Sequence, residues 1–220
     1  MSPSTIQLPA ERVAVKICGV THRDDALAAI EAGADLLGFN TWTGTKRFLD
    51  LEKNAAWLSA LPVGVVKVAL LVNATLAEAR AVAALPFIDA LQLHGDEDAA
   101  ACARLAALGK PIIKALRARD RAALAGATTF STPHLLLDAH VPGAFGGTGA
   151  RVDVELVRGF QREFPQLTLW LAGGLTHENV ATAVAAVRPR VVDVSSGIEI
   201  APGKKDFAKM RAFVKAAREC

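Results

Sequence analysis

A single-domain (β/α)8 barrel is the fold class this 220-residue chain predicts, and three observations predict it. Apolar runs of strand length alternate with Ala-rich stretches of helical period from Val13 to the end, and eight such pairs can be counted. A succession of βα units demands a parallel sheet, and eight is the number that closes a barrel. The apolar fraction, 52%, is carried by Ala, Leu and Val rather than by aromatics, which suits many closely packed helices lying on strands buried on both faces. The runner-up, an open doubly wound sheet, would want a GxGxxG between the first strand and the first helix, and none stands there.

Taken in order, residues 1–12 are polar and are expected to be a loosely held extension, with the barrel domain spanning 13–220. The strands are expected at Val13–Cys18, Asp35–Phe39, Gly64–Val72, Ile88–Leu93, Pro111–Ala115, His134–Asp138, Leu167–Ala172 and Val191–Ser195. Helices are expected at Arg23–Ala32, Leu51–Ala60, Leu76–Ala84, Asp96–Leu108, Arg119–Leu124, Val154–Phe164, His177–Val187 and Asp206–Glu219.

Composition excludes several classes of function. A formal charge of +3 spread without a Lys/Arg block offers no nucleic-acid or membrane surface, but suits a small anionic substrate. No apolar run approaches the roughly 18 residues that span a bilayer, and the start lacks the order of a secretory signal, so a cytoplasmic protein is expected. Cys18, Cys102 and Cys220 are scattered without a CxxC or Cys/His cluster, which points to free thiols rather than disulfides or zinc.

In a closed barrel, chemistry gathers where the strands end, and here those ends are polar. Strand one closes on Lys16-Ile17-Cys18-Gly19, strand four on Gln92-Leu93-His94-Gly95, strand six on Asp138 and strand eight on Asp193-Val194-Ser195-Ser196-Gly197. Period-two alternation turns Lys16, Cys18, Gln92, His94, Asp193 and Ser195 inward around one mouth, with Ile17, Leu93 and Val194 facing the helices. Three glycine elements accompany them: Gly146, Gly147 and Gly149 after strand six, Gly173 and Gly174 after strand seven, and Gly197 behind Ser195 and Ser196. Such loops aim backbone N–H groups at one point, so a phosphorylated small molecule is expected there. A barrel acting on another sugar phosphate, or one that binds phosphate without chemistry, would share those loops.

KICGVT at 16–21, GADLLGF at 33–39, LQLHGDE at 91–97, LLLDA at 135–139, FGGTG at 145–149, LAGGL at 171–175 and VDVSSGIE at 192–199 together resemble the phosphoribosylanthranilate isomerase family. The resemblance runs from about Val13 to the last helix. It implies a barrel without metal or organic cofactor, monomeric or homodimeric, that performs an Amadori rearrangement in tryptophan biosynthesis. By the same resemblance Cys18 is the general base, Asp138 the general acid, and Arg47, from Thr45-Lys46-Arg47, the partner of the anthranilate carboxylate. Gly147, Gly149, Gly173, Gly174, Ser195, Ser196 and Gly197 would hold the phosphate, with Lys16, His94 and Asp193 in support. For Cys18 to act as a thiolate its pKa should be depressed, and Lys16 on the same face is the expected cation. The chain departs from the family pattern at Thr45, where serine is usual, at Phe48, where tyrosine often stands, and at Val154, where an aromatic is common.

Overall fold

The structure, a computed structural model, describes residues 5–139 and 153–219. Eight parallel strands close on themselves in sequence order: β1 (Ala14–Cys18), β2 (Leu36–Asn40), β3 (Val66–Leu71), β4 (Ala90–Leu93), β5 (Ile112–Ala118), β6 (His134–Ala139), β7 (Thr168–Leu171) and β8 (Val191–Val194). The helices are α1 (Arg23–Ala32), α2 (Ala55–Ser59), α3 (Leu76–Ala84), α4 (Ala99–Ala106), α5 (Arg121–Leu124), α6 (Val154–Glu163), α7 (Val180–Val187) and α8 (Phe207–Arg218). The predicted barrel is therefore the observed one. Pairing of β1 with β8 sets Lys16 beside Asp193, and pairing with β2 sets Cys18 beside Gly38.

Alternation along each strand divides the buried side chains into two cores. Val15, Ile17, Leu37, Phe39, Leu91, Leu93, Leu135 and Leu137 face outward and pack under the helices. Ala14, Leu36, Val68, Ala90, Ile113, Leu136, Trp170 and Val191 face inward and fill the lower barrel. Above that apolar layer the interior turns polar, with Lys16 and Gln92 fully buried and Asp138 and Asp193 nearly so. A buried charge is costly unless paired, so this upper layer must be organised by its own contacts. The first residues do not all hang free as expected, because Ile6 is buried in the lower core with Leu8 against it.

Element ends follow local hydrogen bonding. Asp98, Asp120, Asp153 and Asp206 cap α4, α5, α6 and α8 through backbone N–H groups, and Thr75 with Glu78 forms a reciprocal cap on α3. Helix two is shorter than its sequence pattern, because residues 51–54 turn instead, with Lys53 N donating to Asp50 Oδ1. Before α7 the expected helical start is replaced by a turn held by Asn179, whose Oδ1 accepts from Thr176 N and whose Nδ2 donates to Gly174 O. β5 extends three residues beyond its expected end at Ala115, through Ala118. A hairpin, β9 (Glu199–Ala201) with β10 (Lys204–Lys205), follows β8 and was not foreseen. Cys18 and Cys102 are buried free thiols, and Cys220 lies outside the described residues.

Candidate active site

One cleft at the C-terminal mouth of the barrel collects residues from seven of the eight strands or the loops that follow them. Cys18, Gly19, Asn40, Thr45, Arg47, His94, Asp138, Gly173, Gly174, Asp193, Ser195, Ser196 and Gly197 all line it. Thus every expected site residue within the described segments borders this cleft, except Lys16, which sits beneath it and is fully buried. Gly147 and Gly149 lie outside the described residues.

On the β1 side, Lys16 Nζ donates to Asp193 Oδ1 at 3.0 Å inside the barrel. Burial disfavours the Lys16 ammonium, but attraction to Asp193 and to Cys18 outweighs it, and its pKa is raised, so Lys16 stays charged. Room for Lys16 and Cys18 comes from β2: a Cβ at Gly38 would stand 2.8 Å from Cys18 Sγ and 2.9 Å from Lys16 Nζ. The expected depression of the Cys18 thiol is not what the structure gives. Burial pushes it up, Lys16 and Lys205 pull it down, and Asp193 adds to the upward push, leaving the pKa raised. Sequence adjacency revealed the cation but neither the dryness of the site nor the carboxylate sharing that cation's charge.

On the β6 side, Asp138 Oδ2 lies 3.2 Å from His94 Nε2, and Gln92 Nε2 lies 2.7 Å from His94 Nδ1. With the Gln92 amide donating to Nδ1, the ring hydrogen is assigned to Nε2 and points at Asp138. Gln92 on β4 and His94 just past its end are two residues apart, so one strand end supplies both the ring and its brace.

Arg47 reaches the cleft from the loop after β2, and Glu199 grips it through two bonds: Nε to Oε1 at 2.9 Å and Nη2 to Oε2 at 2.6 Å. Lys205 Nζ donates to the same Oε1 at 2.9 Å and to the carbonyl oxygens of Cys18 at 2.5 Å and Ser195 at 3.4 Å. Burial pushes Glu199 upward, yet the hydrogen bond from Arg47 and the charge of Lys205 prevail and hold its pKa below the usual carboxylate range. Thr45 Oγ1 accepts from Arg47 N at 3.3 Å. Phe48 is partly exposed beside this loop, and Val154 begins α6 with its side chain also partly exposed.

The third wall carries the glycine elements. Gly173 and Gly174 both have positive φ, 92° and 62°, which leaves their loop open to close backbone approach. At Gly197 a Cβ would sit 1.9 Å from Leu175 O, so the loops after β7 and β8 meet there only because one residue has no side chain. Ser195 Oγ is buried without a hydrogen-bond partner among the described residues.

Asn40, Glu199 and Lys205 went unassigned in the sequence. Asn40 shares the inward face of β2 with Leu36 and Gly38, so alternation alone would have found it. Glu199 and Lys205 belong to the hairpin after β8, which no periodicity announced.

Comparison with known proteins decides among the barrel enzymes this geometry would suit. The sequence profile of N-(5'phosphoribosyl)anthranilate (PRA) isomerase matches residues 15–216. The chain belongs to the phosphoribosylanthranilate isomerase family. It is 48% identical to the N-(5'-phosphoribosyl)anthranilate isomerase of Thiobacillus denitrificans over 94% of this chain and 98% of that one. With the enzyme of Pseudomonas fluorescens the identity is 45%, over 92% and 97%. The crystal structure of phosphoribosylanthranilate isomerase from Thermotoga maritima superimposes with a TM-score of 0.85 at 36% identity, covering 93% of this chain and 98% of that one. A phosphoribosylanthranilate isomerase solved with reduced 1-(o-carboxyphenylamino)-1-deoxyribulose 5-phosphate matches with a TM-score of 0.80 at 34% identity, again over 93% and 98%. The protein is accordingly a phosphoribosylanthranilate isomerase of tryptophan biosynthesis. Among the described residues no helix is long and apolar enough to cross a membrane.

Proposed function

We propose that this isomerase converts N-(5-phosphoribosyl)anthranilate to 1-(2-carboxyphenylamino)-1-deoxyribulose 5-phosphate, with Asp138 as general acid and Cys18 as general base. The observation that carries the reading is that both side chains line a single cleft with Arg47 and the glycine-bearing ends of β7 and β8. The related enzyme bound to a reduced carboxyphenylamino-deoxyribulose phosphate supports a ligand with an anionic group at each end.

Asp138 gives its proton to the furanose oxygen while the nitrogen lone pair forms a double bond to C1′ and the C1′–O bond breaks. The resulting Schiff base acidifies the proton at C2′. Cys18, as the thiolate, takes that proton, and the freed electron pair forms the C1′–C2′ double bond as the nitrogen becomes neutral. Protonation at C1′ and loss of the C2′ hydroxyl proton then give the ketone. His94 orients Asp138, and a fixed acid contributes about 10²–10⁴ in rate. The thiolate is unfavourable in a dry site, and three cations oppose that cost: Lys16 and Lys205 attract it directly, and Arg47 interacts with it across the cleft.

The phosphate would bind where Gly173, Gly174, Ser195, Ser196 and Gly197 meet, through backbone N–H groups and the Ser195 hydroxyl. The anthranilate carboxylate would meet Arg47, a bidentate contact of about 1.5–3 kcal/mol. The test generates phosphoribosylanthranilate in situ and follows the loss of its anthranilate fluorescence. Arg47→Ala is expected to lower capture about tenfold or more, and unchanged capture would remove Arg47 from the site.

A further inference from the structure

The hairpin after β8 binds three parts of the mouth together, and the reaction sequence has so far used only the charge that Lys205 sets near the Cys18 thiolate. We propose that Glu199 and Lys205 are positioning residues for the isomerisation: Glu199 fixes which edge of Arg47 faces the substrate, and Lys205 ties that grip to the strand carrying the base. The inference rests on Arg47 as the carboxylate's partner and Cys18 as the base.

The guanidinium has two edges able to make paired hydrogen bonds. Glu199 occupies the Nε–Nη2 edge, at 2.9 and 2.6 Å, which leaves the edge bearing Nη1 to meet a substrate carboxylate. Without Glu199 the arginine would have several rotamers to choose among, and a substrate carboxylate would have to select one. Glu199 is itself immobile: Oε1 also accepts from Lys205 Nζ at 2.9 Å and from Gly203 N at 3.3 Å.

Lys205 is fully buried for practical purposes, at 2% exposure, and every one of its recorded Nζ contacts lies at the mouth. Besides Glu199 it reaches the carbonyls of Cys18 and Ser195, the last residue of β1 and the first beyond β8. Its backbone N donates to Asp25 Oδ2 at 3.2 Å, which anchors β10 to α1. A buried ammonium whose donors reach two strand ends and a carboxylate fixes those ends relative to one another, because losing any one bond leaves a polar group unpaired in a dry place. The grip on one end of the substrate and the base at its reacting carbon are thereby parts of one frame.

The test is a double-mutant cycle between Arg47→Ala and Glu199→Gln, read as kcat and KM separately, with melting curves on each variant. In the parent background Glu199→Gln is expected to raise KM about three- to tenfold with little change in kcat, and in the Arg47→Ala background to raise KM little further, since its effect on substrate capture runs through the arginine, while the weakened contact with Lys205 is read in the melting curves. Lys205→Met is expected to lower kcat about tenfold at near-parental KM, with partial recovery in Lys205→Arg, whose planar donors can still serve both carbonyls. Equal penalties for Glu199→Gln in both backgrounds would overturn the role given to Glu199. Parental kcat in Lys205→Met, or a loss that Lys205→Arg fails to recover, would overturn the role given to Lys205. Should Glu199→Gln not fold, Glu199→Asp runs the same cycle, since its shorter carboxylate keeps the charge but cannot span both arginine nitrogens and Lys205. Failure of the underlying reading has a different signature: Arg47→Ala or Cys18→Ser alone would then behave like the parent.

Discussion

On the β1 and β8 side of the mouth, three cations (Lys16, Arg47, Lys205) interlock with two carboxylates (Asp193, Glu199), whereas on the β4 and β6 side one carboxylate meets a histidine braced by an amide. The first side carries one cation more than it has carboxylates to balance. A thiolate at Cys18 would bring that cluster to neutrality, which gives the extra cation a purpose and matches the need of a base that must be charged to act. The second side turns on Asp138 and His94. Its group must be aimed at an oxygen, and the His94 ring, braced by Gln92, provides the direction. Charge compensation governs one side and orientation the other.

Exchanging the Asp138 carboxyl for an amide tests the second side most severely. Asp138→Asn keeps the shape and the contact with His94 but removes the transferable proton, so turnover should fall about 10²–10⁴-fold while affinity for a reduced, pre-opened product analogue stays near the parental value. Equal losses in turnover and analogue affinity would mean that Asp138 merely holds the cleft together.

Charge compensation makes a prediction about pH. Burial raises the Cys18 pKa above the ordinary thiol value of about 8.5, so at neutral pH the thiolate is the minor form. Its fraction grows about tenfold per pH unit until the folded value is reached, and kcat/KM should climb with pH across that range. The sign for stability is opposite. The fold favours the neutral thiol, so this contribution is complete below about 8.5 and is lost as pH rises through the folded value. Lys16, Asp193, Arg47 and Lys205 all act on this group, and Lys16→Met should displace the rising limb to still higher pH. A profile flat from pH 6 to 9 would break the argument.

His94→Asn should cost about tenfold in kcat, since it removes the ring that aims Asp138 without touching the proton it delivers. A loss as large as that of Asp138→Asn would show that the ring itself moves a proton. Gly38→Ala should have the smallest effect of the four, a several-fold loss in kcat with melting lowered by about 3–10 °C, because its Cβ pushes on Cys18 and Lys16 but not on the acid. If phosphate-analogue affinity fell by the same factor, the two sides would not be separable as drawn.

Much of this division was already written in the sequence. Eight βα pairs closed the barrel, and alternation put Lys16, Cys18, Gln92, His94, Asp193 and Ser195 around one mouth, with Asp138 at the end of strand six. Short-range spacing could not show the contacts that join distant segments. Lys16 meets Asp193 across 177 residues and Arg47 meets Glu199 across 152, and it was burial above all, with the Asp193 charge adding to it, that reversed the expected direction of the Cys18 shift. Helix two begins later than expected for a local reason, since residues around Asp50 and Asn54 satisfied backbone groups in turns instead. The hairpin holding Glu199 and Lys205 was hidden because two- and three-residue strands carry no periodicity.

The central claim is that Cys18 removes the C2′ proton, and the most direct measurement is the turnover of Cys18→Ser on phosphoribosylanthranilate generated in situ. Serine preserves size and leaves Gly38, Lys16 and the Lys205 contact to the residue 18 carbonyl undisturbed, but its hydroxyl is hardly ionised at neutral pH. The account predicts a loss of at least about 10²–10⁴ in kcat with unchanged melting and unchanged affinity for the reduced product analogue. A folded Cys18→Ser protein that retained most of its turnover would contradict it.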